Sequence, residues 1–93
     1  MEGLFIYLQI LSPEQILYDG EVNMVTLPGT AGSFTVLPNH AALISSLQKG
    51  VITFETDPIG DIDESEEHIL SIERGFVEIN NNKMTVCIEK SES

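Results

Sequence analysis

The chain contains no tryptophan, one cysteine and only four basic residues, and its apolar runs are short. Each scarcity excludes something. Binding a phosphate backbone needs clustered Lys and Arg, so a nucleic-acid partner is not expected, and an anionic lipid surface would repel the chain. A bilayer span needs ~20 successive apolar residues, and no stretch approaches that, so neither a membrane span nor direct lipid binding is expected. The lone Cys87 can close no internal disulfide. With His40 and His68 distant from it, it forms no zinc-binding pattern. Its place between Val86 and Ile88 reads as packing, which fits a reducing compartment. No basic region precedes Leu4-Phe5-Ile6, so the start does not have the form of a signal peptide. The glycines at 29, 32, 50 and 75 lack the Lys-Ser/Thr ending of a phosphate loop, and there is no G-x-S-x-G elbow. No cofactor is expected.

Acid is what the chain has in excess. Fifteen carboxylates against four cations give a net charge of −11. This reads as solubility, with a basic partner as the functional alternative. The apolar fraction of 42% is ordinary for a folded domain, and 93 residues make one domain. A chain this short buries only roughly 60–65% of its unfolded surface, so its core is modest.

Period-two alternation dominates. Leu4, Ile6, Leu8 and Ile10 share one face of a first strand. After Ser12-Pro13-Glu14, Ile16 to Tyr18 make a second, and Asp19-Gly20 has the composition of a turn. Val25 and Leu27 share a face that Val22 misses by one residue, which predicts a β-bulge near Asn23-Met24. Phe34 and Val36 anchor a fourth strand and Leu43 to Leu47 a fifth. Val51 to Phe54, Ile69 to Ile72 and Phe76 to Ile79 follow, with Arg74-Gly75 as a bend between the last two. Asn80-Asn81-Asn82 predicts a hairpin turn, and Met84, Val86 and Ile88 face one way on a ninth strand. Nine or ten short strands, frequent turns and no amphipathic helix predict an all-β antiparallel sandwich or flattened barrel.

The stretch Leu27 to Leu47 organises the rest. Pro28-Gly29 and Ala31-Gly32 punctuate one loop, and Pro38-Asn39 shapes another after the Phe34 strand. Two shaped turns bracketing one strand, with small residues and one imidazole outward, suit rigid docking rather than catalysis. His40 would need a neighbouring nucleophile to act as a general base, and Ser45 and Ser46 lie on an apolar strand. Residues 57–67 hold six carboxylates. They lack the sixth-position Gly and twelfth-position Glu of an EF-hand loop, so no metal is expected there and a solvated hairpin tip is. Lys83 sits near a predicted hairpin tip, as in lipoyl and biotinyl carrier domains. The flanking Asn82 and Met84 miss the biotin motif, and Pro58 stands where a lipoyl lysine would belong.

The segment LPGTAGSFTVLPNHAALISSLQKGVI, residues 27–52, resembles the central signature of epsilon subunits of F-type ATP synthases. The flanks agree. Ile10-Leu11-Ser12-Pro13-Glu14 and Leu17-Tyr18-Asp19-Gly20-Glu21-Val22 lie upstream, and Gly75-Phe76-Val77-Glu78-Ile79 with the Val86 strand lies downstream. The resemblance spans most of residues 4–89. It implies a sandwich of about ten strands over residues 1–89 and a polar tail at 90–93, without the family's C-terminal helical hairpin. It also implies a non-catalytic rotor subunit that couples a c-subunit ring to the gamma subunit without an inhibitory element. Such a subunit is peripheral, on the cytoplasmic face of a bacterial plasma membrane. By position, Gly29, Thr30, Ala31, Gly32, Ser33, Ala41, Ala42 and Leu43 should face the ring, and Ser12 and His40 should face gamma. Ser33 stands where many members carry a Glu, Glu73-Arg74 replaces smaller residues, and the 57–67 connection is longer than usual. The alternatives are a modified carrier domain or an unassigned sandwich binding module.

Overall fold

A computed structural model describes residues 5–56 and 66–91. Among these there are eight strands and no helix: β1 (Ile6–Leu11), β2 (Ile16–Val22), β3 (Met24–Gly29), β4 (Gly32–Val36), β5 (Leu43–Leu47), β6 (Gly50–Thr56), β7 (Glu66–Asn80) and β8 (Lys83–Lys90). Alternation becomes burial because successive side chains leave opposite faces of a strand. Ile6, Leu8 and Ile10 of β1 are buried, as are Met84, Val86 and Ile88 of β8. Val25, Leu27, Val36, Leu47, Ile52, Phe54, Ile72, Val77 and Ile79 complete the core from five other strands, with Val22 from β2.

The hydrogen-bonded order is β2-β1-β8-β7-β5-β3-β4, with β6 pairing both β3 and β7. The 15-residue β7 is the spine. Residues 66–72 pair β6, and residues 75–79 pair β5 on one side while pairing β8 on the other. The two layers of the sandwich diverge from this strand and enclose the core between them. Every pairing is antiparallel except β1 with β8, which is parallel.

Several sequence expectations are corrected. Asp19-Gly20 is not a turn: both residues lie inside β2 and pair with Gln9 and Leu8. The β1–β2 irregularity falls instead at Leu17, between the Ile10 and Leu11 pairings. Val22 is not rejoined to Val25 by a bulge. The chain bends at Asn23, so Val22 ends β2 opposite Ile6 while Val25 serves β3. The two strands expected at 69–72 and 76–79 are one strand. Arg74-Gly75 does not break it: the extra residue at Glu73 is taken up as a register shift against β8, and the strand continues. Gly75 is required at this junction by contact: a Cβ would strike the Cys87 carbonyl oxygen and the Ile88 side chain. Pro28 and Gly29 belong to β3, leaving Thr30-Ala31 as the turn. The last strand runs to Lys90, and the Ser91 amide donates to the Ser71 carbonyl at 3.2 Å.

Candidate docking surfaces

Three turns carry or adjoin the ring-side candidates. The first is the β3–β4 hairpin, closed by the Gly29–Gly32 pair around Thr30 and Ala31. Gly32 has φ near 131°, a conformation that side-chain-bearing residues rarely adopt. Thr30 lies against β5: its amide donates to the Ser46 carbonyl at 3.1 Å, and the two hydroxyls meet at 2.9 Å. The second turn is Leu37 to His40. The His40 amide donates to the Leu37 carbonyl at 3.2 Å, with Pro38 fixing one central residue and Asn39 at φ 70° the other. That is a type II turn, whose third position demands positive φ. The third is the β7–β8 hairpin, where Asn81 and Asn82 have φ of 53° and 62°, the twist that a two-residue hairpin requires.

Two of these turns interlock. The Asn82 side-chain amide donates to Asn39 Oδ1 at 2.9 Å, and the Asn39 backbone amide donates to Asn82 Oδ1. The two residues are 43 positions apart. His40, Ala41 and Ala42 line a shared hollow with Asn80, Asn81 and Asn82. His40 Nδ1 lies 2.8 Å from the Ala41 carbonyl. Ser45 Oγ is committed to the Ser46 carbonyl and Ser46 Oγ to Thr30. Both serine hydroxyls therefore have their partners elsewhere than on His40. From Leu37 to Leu43 and from Thr30 to Ser33 the sequence carries no carboxylate.

Ser12 stands elsewhere. Its amide and hydroxyl both donate to the Gln15 carbonyl, at 2.9 and 3.1 Å, closing the β1–β2 connection. Beside it, an open groove of about 680 Å³ is lined by Leu11, Pro13, Leu47, Phe76, Cys87 and Ile88. The register explains it, because Leu11 pairs with Cys87 and Cys87 with Phe76, setting apolar side chains in one outward row. Phe76 is 54% exposed. Arg74 and Glu89, 3.3 Å apart, border the row. Sequence reading missed this groove, because the row joins the β7–β8 hairpin to Leu11 and Leu47, both far from it in the chain. Ser12 and His40 therefore occupy opposite ends of one layer. Five residue steps of β7, from Gly75 to Asn80, separate them, roughly 17 Å at strand rise.

A third cluster lies at the other end of β7. Phe54 and His68 stack at 5.0 Å with an 11° interplanar angle, and Tyr18 tilts against Phe54 at 4.6 Å. Burial raises the Tyr18 pKa above its usual 10.0, and the nearby Glu66 carboxylate adds to this. His68 Nε2 lies 3.7 Å from Glu66. Of the acidic segment, only Glu66 and Glu67 fall within the described residues, and the hairpin tip expected over 57–65 lies outside them. Among the described residues no group of three metal-ligating side chains comes together. Lys83 does stand at a hairpin, opposite Asn80 and exposed.

The β-sandwich domain family of the ATP synthase delta/epsilon chain matches residues 5–93. The chain belongs to that family. It is 40% identical over 81 residues to the ATP synthase epsilon chain of Leptospira interrogans, covering 86% of this chain and 58% of that one. The epsilon chain of Sulfurimonas denitrificans is 43% identical over 82 residues, covering 88% and 58%. The chain thus spans under three-fifths of these relatives' length. Among solved structures, it resembles a chain of the Euglena gracilis mitochondrial ATP synthase with a TM-score of 0.79 at 19% identity, covering 99% of this chain and 54% of that one. A chain of the Tetrahymena thermophila central stalk and c-ring structure gives 0.72 at 12%, covering 97% and 67%. At these identities the structural likeness shows the fold. The family match, not a carrier fold, accounts for the sandwich.

Proposed function

We propose that this chain is the sandwich of an epsilon-type rotor subunit, joining a gamma subunit to a c-subunit ring and doing no chemistry itself. The observation that carries this is the layout of one sheet layer. Its turn end is shaped by interlocked asparagines, and its outer face bears an apolar groove at the opposite end. A tie between two bodies needs two separate surfaces on one stiff element, and this layer has them. Membership in the delta/epsilon family supports the assignment of the two bodies.

In this reading Gly29 to Ser33 and Ala41 to Leu43 meet the ring. Gamma lies along the outer face, resting on the groove beside Ser12 and reaching His40 at the far end. Ser33 offers the ring a hydroxyl rather than a carboxylate, so contact there depends on shape and hydrogen bonds more than on charge. The rotor assembly sits peripherally on the membrane, as the ring requires.

Reconstitution tests it. The assembly is prepared with the wild-type chain, with Phe76→Asp, and with Gly32→Val. Phe76→Asp should reduce co-purification with gamma, and Gly32→Val should reduce retention on the ring. Phe76→Asp should keep the wild-type melting profile to within a few degrees, and Gly32→Val, strained at its φ, should melt lower but remain folded at the assay temperature. If neither variant changes recovery, the two surfaces are misassigned. If the wild-type chain joins neither partner, the rotor reading fails.

A further inference from the structure

Among the described residues the sheet has two edge strands, and they differ in how they are guarded. At one edge β2 carries Asp19, Gly20 and Glu21 and is irregular at Leu17. Charge, glycine and irregularity are the usual means by which a sheet edge avoids pairing with another chain. At the other edge β4 has none of these after its first residue. Its sequence is Gly32-Ser33-Phe34-Thr35-Val36, followed by Leu37, which is 54% exposed.

The register identifies which groups of β4 are free. A two-residue hairpin is closed by a hydrogen-bonded pair, and bonded and non-bonded pairs then alternate. Gly29–Gly32, Leu27–Phe34 and Val25–Val36 are therefore the bonded pairs. Pro28–Ser33 and Thr26–Thr35 are the non-bonded ones. Two facts agree with this. Pro28 has no N–H to donate and occupies a non-bonded position. The Thr26 and Thr35 hydroxyls meet at 3.0 Å, as side chains do at the closer, non-bonded pairs. The N–H and C=O of Ser33 and Thr35 thus point away from β3, where no strand among the described residues pairs with them.

We infer that β4 is a strand-addition site that accepts an extended segment of a partner chain. Main-chain groups at two-residue spacing fit only an extended backbone, which fixes the conformation of the occupant. Its side chains follow from the pleat. Positions beside the half-buried Phe34 and the buried Val36 should be apolar, and positions beside the exposed Ser33 and Thr35 should be small and polar. Its charge follows from the −11 of this chain: the segment is neutral or basic. A second copy is disfavoured by the same charge and by the short length of a five-residue edge. This inference does not depend on the rotor reading, since it rests on edge geometry alone.

Amide hydrogen exchange tests it. The probe is a synthetic peptide alternating Val and Thr between terminal lysines, added to the intact 93-residue chain. On addition, exchange at the Ser33 and Thr35 amides should slow by about tenfold, while the already bonded Phe34 amide changes little. The same peptide N-methylated at alternate residues, and the Thr35→Lys variant with the unmodified peptide, should give no slowing. Unchanged exchange at Ser33 and Thr35 up to the solubility limit of the peptide overturns the proposal. Protection that grows with protein concentration alone overturns it too, in favour of pairing between copies.

Discussion

The two halves of β7 share one strand and have opposite characters. Residues 75–79 are bonded on both sides, by β5 and β8, and bury Val77 and Ile79. Residues 66–72 pair along their length with β6 and bury one large side chain, Ile72, while Ile69 is 68% exposed. The 75–79 half carries the groove and leads into the asparagine turn. The 66–72 half carries Glu66, Glu67 and the stacked His68. The difference teaches that the shaped surfaces lie where neighbours hold the backbone on both sides, and the Glu66-Glu67-His68 cluster where β6 is the main partner.

The largest effect should come from the junction between the halves. Gly75→Val would drive a side chain into the Cys87 carbonyl and Ile88. The expected cost is about 3 kcal/mol, a fall in Tm on the order of 10 °C or more by calorimetry. A Tm within 2 °C or so of wild type would mean β8 does not pack tightly on β7 there. Next comes a matched pair across the junction. Val77→Ala empties a fully buried site and should cost about 2 kcal/mol. Ile69→Ala, on the exposed half, should stay within about 0.5 kcal/mol. Equal losses in urea unfolding would abolish the contrast between the halves.

Alkali should sharpen the comparison through the tyrosines. The Tyr7 hydroxyl donates to Asp19, and that bond, with lesser help from desolvation and the carboxylate charge, raises its pKa above 10.0. Burial followed by the Glu66 charge raises that of Tyr18. A pKa raised on folding stabilises the fold below the unfolded value, and the contribution is lost as pH climbs through the folded value. Stability should therefore be level up to about pH 10 and fall above it. Tyr18→Phe should flatten the part of this fall that belongs to the 66–72 half, seen as Tm against pH. An unchanged alkaline limb in both Tyr18→Phe and Tyr7→Phe would remove the phenols as its cause. Smallest of all, Glu66→Gln or Glu67→Gln should move Tm by a few degrees at most, because exposed ion pairs contribute about 0–1 kcal/mol. A loss beyond that would show the acidic half to be structural.

The legible parts of the chain were those decided by neighbours in sequence. The inward faces of β1 and β8 follow from Ile6, Leu8, Ile10 and from Met84, Val86, Ile88, since the pleat repeats every two residues. The Asn81-Asn82 hairpin was readable because positive φ is a local demand. Of the candidate ring-side residues, Thr30 and Ala31 were readable as a turn, while Gly29, Gly32, Ser33 and Leu43 lie in strands. Fusion of two strands into β7 was not readable, because Gly75 looks like a bend until the Cys87 carbonyl is placed beside it. Asp19-Gly20 misled for the same reason: a turn-forming pair becomes strand when β1 offers a full row of partners. The groove beside Ser12 and the Asn39–Asn82 link were invisible, as each joins residues far apart in the chain.

The sequence by itself determined an all-β chain of this family, with inward and outward faces assigned and its turns mostly in place, because alternation and turn chemistry act over a few residues. Tertiary structure alone decided which strands became neighbours, that β1 lies parallel to β8, and that one edge stays guarded while the other stays open. Strand pairing selects partners across long loops, and its register is set by burial of the whole face together.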